Sequence, residues 1–561
     1  MLRPIRSLIY KYRKGLVLGA IAGGSLCFLN ANRSDSYFEI SKNLDIYATL
    51  FKELNTYYVD PIEPGKLVKT GIDAMLNDLD PYTNFYSEAD IEDYRFQTTG
   101  KYGGIGAAVR TVGDETVIAE PYEGSPIMKA GIRAGDQLVE IDGKAVKSLN
   151  QDEISKLLRG AAGTVVNLKL KSAQTQQLYD KAVVREDINI SSVPYAGMLN
   201  NNTGYIRLTQ FTERCGSMVS KAYDSLRKAN PAMQGIVLDL RGNPGGLLDE
   251  AVNVCNIFMD RGQLVVSTKG KVKEWDKDFK TQNSPVDTKM SLAVIINRGS
   301  ASASEIVAGT VQDLDRGVVI GEKSFGKGLV QTTRPLTYNT RLKITTAKYY
   351  TPSGRCIQAI DYSHRNEDGS VGNIPDSLKH QFKTVNGRKV SDGGGIEPDV
   401  KIATSDLSKL SIALLNKNFI FNYATQYYYQ HPSISKAGDF VITDADFDNF
   451  VKWVDGKDYA YKTKTEEALD ELKETATKEK YYASVEKEYE VLKTKLSHDK
   501  KQDLYKNKDE VKRLLQSEIV TRYYYQKGRI ENGLRDDKEV KEAVAILSAP
   551  QKFNTILARK Q

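Results

Sequence analysis

The stretch SLAVIINRGSASASEIVAGTVQDLDRGVVIGEKSFGKGLVQ, from Ser291 to Gln331, decides how the chain is organised. Its apolar run 292–296 predicts a buried strand, and the apolar residues at helical spacing after SASASE predict a helix. A second apolar run, 318–320, predicts another strand, which is followed by a glycine-rich loop and then by an extended segment. The stretch therefore places three serines where a strand gives way to a helix, and it places Lys327 between two glycines in the next loop.

The start of a helix is a favourable position for a reactive hydroxyl group, because the unpaired N–H groups there stabilise a developing oxyanion. All four histidines lie in polar surroundings outside residues 204–350, so the sequence favours no histidine base. A lysine can act as the base where desolvation favours the neutral amine. Lys327 fits this requirement, because glycines and apolar residues flank it. These residues alone do not choose among Ser300, Ser302 and Ser304.

Two other interpretations of the same residues are open at this point. Ser302 and Glu305 fit the capping-box pattern S-x-x-E, in which the serine only caps a helix. Gly321-x-x-x-x-Gly326-Lys327 is close to the phosphate-binding loop of nucleotide-hydrolysing enzymes. However, a glycine stands where that loop needs serine or threonine for magnesium, and the following LVQTTRPL predicts a strand rather than a helix. The P-loop-like NTPase is therefore the less favoured interpretation.

The motif GSASASE, the FGKG loop and the glutamine that follows resemble the carboxyl-terminal processing proteases, also called tail-specific proteases. In that family a Ser/Lys dyad cuts proteins near their C-termini. By motif, the resemblance implies Ser302 as the nucleophile, Lys327 as the general base and Gln331 as the residue that positions the lysine. The DLRGNPGG turn resembles the family as well, and implies Gly246 and Ala303 as the N–H donors to the oxyanion. No metal, nucleotide or other cofactor is expected.

Residues 96–186 resemble a PDZ domain, on the strings YGGIG, GSPIMKAGIRAGDQLVEIDGKAV and VVNLKL. In PDZ domains a glycine-rich turn binds a terminal carboxylate through its N–H groups, while the peptide adds as a strand to the sheet edge. The resemblance places Gly103, Gly104, Ile105 and Gly106 in that turn. It also implies that the bound peptide ends in an apolar residue.

Residues 1–31 are interpreted as a targeting segment, because five cations precede an uncharged run of 15 residues. That run has the length of a signal peptide and is short for a transmembrane helix. A cleaved signal peptide and an uncleaved anchor in the inner membrane are both left open. In either case we expect export, which places the body of the chain in the periplasm or cell envelope.

The composition is that of a soluble globular protein, with 40% hydrophobic and 27% charged residues and a net charge of +7. No basic patch carries interleaved aromatic residues, so we expect no nucleic-acid partner. The three cysteines beyond the targeting segment are too few for a disulfide framework or a zinc site. We expect buried free thiols, with a single bridge left open.

The sequence predicts a multidomain α/β (α+β) protein with four regions after the targeting segment. They are an N-terminal helical region (35–95), a PDZ domain (96–186), a mixed-sheet tail-specific protease core (187–400) and a charged helical region (401–561). An amphipathic stripe in the last region predicts internal packing, a second subunit or an adaptor as its partner. The polar segment 361–395 is interpreted as a long loop.

Taken together, these features predict a serine endopeptidase that captures the free, apolar C-terminus of a protein or peptide on its PDZ domain and cleaves upstream. The alternative outside the enzymes is a scaffold, in which a PDZ domain sits on an inactive protease core. The complete set of serine, lysine and glutamine argues against the scaffold. Asp239 and Arg241, in the turn motif, are expected to serve structure rather than chemistry.

Overall fold

The computed structural model describes residues 37–112, 115–403, 406–496 and 500–558. The chain divides into two compact units, with the boundary between Phe85 and Tyr86. The predicted targeting segment lies outside the described residues. Within the ranges just given, none of the helices combines the length and the apolar character that crossing a bilayer requires.

The first unit is built from two helices, α1 (37–57) and α2 (Pro64–Asn77). They approach each other where a glycine meets an aromatic ring, since a Cβ atom added at Gly71 would lie 2.8 Å from the hydroxyl of Tyr47. Mainly apolar side chains of both helices line a cavity of about 1100 Å³. A short strand, β1 (Asn84–Tyr86), follows at the boundary.

The second unit begins with a helix that leads into a small antiparallel sheet. Its elements in chain order are α3 (Ile91–Thr99), β2 (Lys101–Gly104), β3 (Ala107–Val112), β4 (Glu115–Pro121), α4 (Pro126–Lys129), β5 (Gln137–Ile141), β6 (Lys144–Ala145), α5 (Gln151–Leu158), β7 (Val165–Lys171), β8 (Leu178–Val184) and β9 (Glu186–Asn189). The strands pair in the order β3–β4–β5–β7–β8, with β6 beside β5 and β2 beside β9. Ile118, Leu138 and Ile154 lie in the apolar core of this sheet and its helices.

The next part of the second unit is a mixed sheet between two layers of helices. The elements of this region are β10 (Tyr195–Met198), β11 (Thr203–Arg207), α6 (Cys215–Ala229), β12 (Gly235–Asp239), α7 (Leu248–Phe258), β13 (Leu264–Gly270), β14 (Lys277–Lys280), β15 (Ser291–Ile296), α8 (Ala303–Asp313), β16 (Val318–Gly321), β17 (Leu329–Pro335), β18 (Arg341–Tyr350), β19 (Ile360–Arg365), β20 (Val371–Asn373), β21 (Gln381–Lys383), β22 (Lys389–Ser391) and β23 (Val400–Lys401). The main sheet has the order β10–β11–β12–β15–β16–β23, with β10 antiparallel and the other neighbours parallel. The expected α/β architecture, with an antiparallel sheet domain ahead of a mixed-sheet core in the chain, is confirmed.

The parallel strands bring distant segments together at one edge of the main sheet, because their carboxyl ends all point the same way. Strand β12 leads into the DLRGNPGG turn, β15 leads into the SASASE segment, and β16 leads into the loop that carries Lys327. In a second sheet, of order β17–β18–β13–β14, Gln331 lies opposite Thr345, and Thr333 lies opposite Lys343. The two sheets thereby position the residues described below.

The prediction of a long loop between residues 361 and 395 is wrong. The segment forms two short hairpins, β19 with β20 and β21 with β22. In the second hairpin Asn386 and Gly387 lie in the turn, and Gly387 has φ +82°, a value that glycine adopts without strain. Asn-Gly is a strong hairpin signal, and the polar composition of the surrounding segment concealed it.

The C-terminal region is helical, as the sequence predicts. Its helices are α9 (Lys409–Asn416), α10 (Phe419–Gln430), α11 (Asp444–Val454), α12 (Lys464–Lys478), α13 (Tyr482–Leu496), α14 (Lys500–Lys506), α15 (Lys508–Leu534), α16 (Lys538–Leu547) and α17 (Pro550–Leu557). The predicted amphipathic stripe is only half covered. Leu469 and Tyr489 are buried, whereas Leu472 on α12 is 52% exposed.

Helices α16 and α17 belong to the core of the main sheet, which the sequence did not predict. Val540, Ala543 and Ile546 of α16 are buried against the face of the sheet that carries Val237 and Ile295. The opposite face packs on α6, α7 and α8. Because both faces are covered, β12 and β15 are apolar and buried along nearly their whole length.

Replacing Ile546 with alanine should lower the free energy of unfolding by about 2–5 kcal/mol, because it leaves a cavity under a fully buried side chain. Urea unfolding followed by circular dichroism measures the change. The matched control is Leu472→Ala on exposed α12, for which we expect a change within about 0.5 kcal/mol. Equal effects of the two substitutions would show that α16 is not part of the core.

Candidate active site

A cavity of about 400 Å³ lies at the carboxyl edge of the main sheet. It is lined by Ser302 and Ala303 at the start of α8, and by Gly246 in the turn after β12. Lys327, in the loop after β16, and Gln331, on β17, complete this part of the wall. The fold therefore gathers around one cavity all five residues that the sequence assigned to catalysis and to the oxyanion.

Ser302 has an unusual backbone conformation, with φ 55° and ψ −114°. A non-glycine residue adopts positive φ only where the surroundings impose it, and such residues concentrate at functional sites. Its carbonyl oxygen accepts three hydrogen bonds, from Glu305 N at 2.8 Å, Ile306 N at 2.9 Å and the Tyr349 hydroxyl at 3.2 Å. These contacts fix the backbone at the point where the side chain meets the cavity.

The neighbouring serines are committed to structural hydrogen bonds. Ser300 and Ser304 are fully buried, and their hydroxyl groups donate to the carbonyls of Leu240 at 2.8 Å and Asn243 at 2.9 Å. Ser302 lies between them and lines the cavity instead. The geometry thus separates three serines that the sequence alone left equivalent.

The DLRGNPGG turn approaches Ser302 as closely as a backbone can. A Cβ atom added at Gly245 would lie 2.8 Å from Ser302 Cβ, and one added at Gly246 would lie 2.2 Å from the Phe211 carbonyl oxygen. The turn is fixed by Asn243, whose side chain accepts from Gly245 N and donates to the Leu208 carbonyl, both at 2.9 Å. Glycine is required at both positions, because a side chain at Gly245 would clash with the start of α8 and one at Gly246 would clash with the backbone of Phe211.

Glu305 connects the serine to the lysine loop, a role that the sequence did not reveal. One carboxylate oxygen accepts from Ser302 N at 2.8 Å and Lys327 N at 2.9 Å, and the other from the Ser324 hydroxyl at 2.5 Å and Gly326 N at 2.7 Å. Burial raises the pKa of Glu305 to about 7, although these four donors oppose the shift. The visible signal was the S-x-x-E pattern, which predicts only the contact with Ser302.

The loop that carries Lys327 is held tightly on both sides. A Cβ atom at Gly326 would lie 2.4 Å from Ala359 Cβ, and Gly328 N donates to the Gln358 side chain at 2.7 Å. The amides of Gly326 and Lys327, which a phosphate-binding loop would offer to a nucleotide, donate to Glu305 instead. The segment that follows is strand β17 and not a helix, so the P-loop interpretation is not supported.

Gln331 projects from the second sheet, and its side-chain amide donates to the Thr345 hydroxyl at 3.2 Å across the β17–β18 pair. A further lysine, Lys343, also lines the cavity from β18. The sequence analysis did not single out Lys343. No local motif in strand β18 distinguishes Lys343 from the other polar residues of the strand.

Asp239 and Arg241 lie beneath the turn in a buried ionic cluster. Asp239 accepts from Arg241 at 2.6 Å and from the Tyr205 hydroxyl at 2.7 Å, and it pairs with Arg207 at 2.6 Å. Burial alone would raise the pKa of Asp239, but the two guanidinium groups outweigh it and hold the pKa well below its usual range. Arg241 also contacts Asp537 at 2.7 Å, which ties the start of α16 to the turn. These contacts agree with the structural role expected for both residues.

Cys215, Cys255 and Cys356 are free thiols. Burial raises the pKa of the Cys255 thiol to about 12, so this group stays protonated. The prediction of buried free thiols is confirmed for Cys215 and Cys255, whereas Cys356 is only partly buried.

Two residues of the predicted PDZ turn lie at the end of strand β2 and the other two follow it. Gly103 and Gly104 are the last residues of that strand and pair with β9, Ile105 is buried, and Gly106 has φ +76°. The Gly103 carbonyl accepts from Gly160 N at 3.0 Å, so the turn rests on the segment after α5. These contacts fix the positions of the four residues.

Helix α3 links the PDZ turn to the cavity. Its residues Tyr94, Gln97 and Thr98 line the cavity wall, and Gly103 comes five residues after Thr98. Five extended residues span at most about 18 Å. The turn therefore begins within about 18 Å, along the backbone, of the wall around Ser302.

Family comparisons match three parts of the chain. Residues 202–363 match the model of peptidase family S41, residues 117–172 match that of the PDZ domain, and residues 410–547 match that of a C-terminal helical domain of probable PDZ-proteases. The first two cover most of the residues that line the cavity and much of the antiparallel sheet of β3 to β8. The third covers most of the helices whose role the sequence left open.

Individual proteins are similar over longer stretches. A carboxy-terminal-processing protease of Bartonella bacilliformis is 37% identical over 331 residues, which cover 59% of this chain and 75% of that protein. A probable CtpA-like serine protease of Staphylococcus aureus is 32% identical over 408 residues, covering 72% of this chain and 74% of the relative. Among solved structures, the photosystem II D1 C-terminal processing protease is 27% identical, covering 64% of this chain and 92% of that one, with a TM-score of 0.35.

Proposed function

The chain belongs to peptidase family S41, the PDZ-containing carboxy-terminal-processing serine proteases, and from that membership we propose that Ser302 and Lys327 form its catalytic dyad. The observation that carries the proposal is the single cavity that both side chains line together with Gln331, Gly246 and Ala303. A scaffold with an inactive core would not need to preserve this set.

The reaction is acyl transfer to the serine followed by hydrolysis. The Ser302 hydroxyl attacks the peptide carbonyl, while the neutral amine of Lys327 takes its proton and later passes it to the leaving amine. Gln331 positions the lysine. The N–H groups of Gly246 and Ala303 stabilise the tetrahedral oxyanion, and loss of one such donor typically costs about 3–4 kcal/mol in the transition state. Water then releases the acyl product.

The PDZ domain captures the free C-terminus of the substrate. The turn formed by Gly103, Gly104, Ile105 and Gly106 holds the terminal carboxylate, and the tail adds as a strand beside it. Because α3 joins this turn to the wall of the cavity, a bound tail presents its upstream residues near Ser302. The substrates are thus polypeptides that end in an unblocked, apolar residue.

The N-terminal segment exports the enzyme, so the protease acts on proteins of the cell envelope. The support is the sequence pattern of residues 1–31, with its cations followed by an apolar run. Limited labelling of intact cells with a membrane-impermeant reagent tests this placement.

Blocking the substrate's C-terminus as an amide should slow cleavage by about 10- to 100-fold at low substrate concentration, because charge-assisted hydrogen bonds to the carboxylate are worth about 1.5–3 kcal/mol. The full-length enzyme is incubated with two forms of one protein that share an apolar tail and differ only in the terminal group, and the fragments are identified by mass spectrometry. Equal rates for the two forms would refute capture of the free terminus. If neither form were cleaved, the proposed endopeptidase activity would be refuted.

A further inference from the structure

The catalytic cavity contains a second lysine that the dyad does not use. Lys343 lies on β18 opposite Thr333, two residues along the strand from Thr345, which contacts Gln331. Side chains two residues apart share a face of a strand, so Lys343 lies on the same face as the Gln331–Thr345 pair. The lysine therefore belongs to the floor of the cavity rather than to the outer surface of the sheet.

The charges around Lys343 are unbalanced. Among the described residues that line the cavity, Lys327 and Lys343 carry amines, and none is an aspartate or glutamate. Lys343 is partly buried, and burial lowers its pKa. A desolvated ammonium group is costly unless an anion compensates it. Within this cavity the anion has to come from the substrate.

A second cation stands beside Lys343 on the same strand face. Arg341 lies two residues earlier, and its guanidinium group stacks 5.1 Å above the ring of Tyr94, a residue of the cavity wall. The Nε atom of Arg341 is buried and has no hydrogen-bond partner among the described residues. Lys343 thus lines the cavity, and the guanidinium group of Arg341 lies against Tyr94 of the cavity wall on α3.

We propose that Lys343, assisted by Arg341, forms a subsite that binds a carboxylate of the peptide being cleaved. This subsite rests on the proposed function, since it assumes that a peptide lies in the cavity beside Ser302. The carboxylate is an acidic side chain near the scissile bond or the free terminus of a short tail. Lys343 is a specificity residue and takes no part in proton transfer.

The test separates the two sources of the carboxylate. One series of quenched fluorescent peptides differs only by glutamate, glutamine or lysine at single positions around the cut, and all carry a C-terminal amide. A second series has neutral side chains and a short tail that ends as the free acid or as the amide. Full-length wild-type enzyme, Lys343→Met and Lys343→Glu are compared on each. The matched control is Lys348→Met, an exposed lysine on the same strand.

We expect Lys343→Met to raise KM about tenfold for the peptide that carries the recognised carboxylate. Its kcat for that peptide, and both kinetic constants for the neutral peptides, should change by less than about twofold. Lys343→Glu should invert the preference towards the lysine-containing peptide. In each enzyme, the KM of a peptide with the carboxylate is compared with the KM of its neutral counterpart. The series in which Lys343→Met changes this ratio shows whether the carboxylate comes from a side chain or from the chain terminus.

Equal KM changes for charged and neutral peptides would overturn the subsite, and so would a loss of kcat on every peptide, which would place Lys343 in the chemistry. Failure of the wild-type enzyme to cleave any peptide would instead count against the proposed function. The two failures are therefore distinguishable in one set of measurements.

Discussion

Replacing Ser302 with alanine, or Lys327 with methionine, should each reduce cleavage of a tailed protein by about 10⁴-fold or more, the scale observed when one member of a catalytic unit is removed. Without the hydroxyl no acyl-enzyme forms, and without the amine the hydroxyl keeps its proton. The double variant should be no less active than either single variant, because the two groups act as one unit. Quantifying the fragments by mass spectrometry over hours measures the residual rate.

The controls for this experiment are chosen from exposed positions of the same region. Ser284→Ala and Lys323→Met, the latter in the same loop as Lys327, should retain wild-type activity. Both catalytic variants should still bind a tailed peptide, since the PDZ turn is untouched. Proteolysis by Ser302→Ala or Lys327→Met within tenfold of wild type would end the dyad proposal.

The sequence predicted the strand–helix junction at Ser302 because the signals there are local. An apolar run, a serine-rich turn and a helical period are all contained in residues 292–314. Which of the three serines lines the cavity is not decided locally, because it depends on which hydroxyl groups donate hydrogen bonds to the carbonyls of Leu240 and Asn243. Those carbonyls lie about sixty residues earlier and meet the serines only through the pairing of β12 with β15.

The same distinction explains what the sequence missed. Helix α16 looks like a surface helix by composition, yet it covers the face of β12 and β15, two strands that end more than 200 residues earlier. Lys343 belongs to the cavity only because β18 pairs with β17. Neither relation leaves a short motif, so no periodicity in either segment could have revealed it.

Replacing Glu305 with glutamine should lower kcat/KM by about 10²-fold or more. The carboxylate accepts four hydrogen bonds that join Ser302 to the loop of Lys327, whereas a glutamine offers one acceptor oxygen and turns an NH₂ group towards donors. Each buried group left unsatisfied costs about 1–3 kcal/mol, so the loop should shift away from α8. Steady-state kinetics at pH 8 measure the loss. Glu274→Gln, at an exposed position, should behave as wild type.

Acid should act on the wild-type enzyme as the substitution does, because burial raises the pKa of Glu305 to about 7 and protonation removes an acceptor. The loss of kcat/KM as the pH falls through about 7 should therefore be steeper in the wild type than in Glu305→Gln.

Protonation of Glu305 should lower activity but raise the stability of the fold. A folded-state pKa of about 7, above the usual 4.5, means that the folded protein binds this proton more tightly than the unfolded chain. The stabilisation from Glu305 is therefore complete below about pH 4.5 and lost as the pH rises to about 7. Thermal unfolding across that window should show the wild type losing stability relative to Glu305→Gln.

Parallel pH profiles for the two proteins, in both rate and stability, would mean that the ionised carboxylate does not hold the lysine loop against Ser302. The form that is active is then also the less stable one, which is the expected consequence of burying a charge to fix a catalytic geometry.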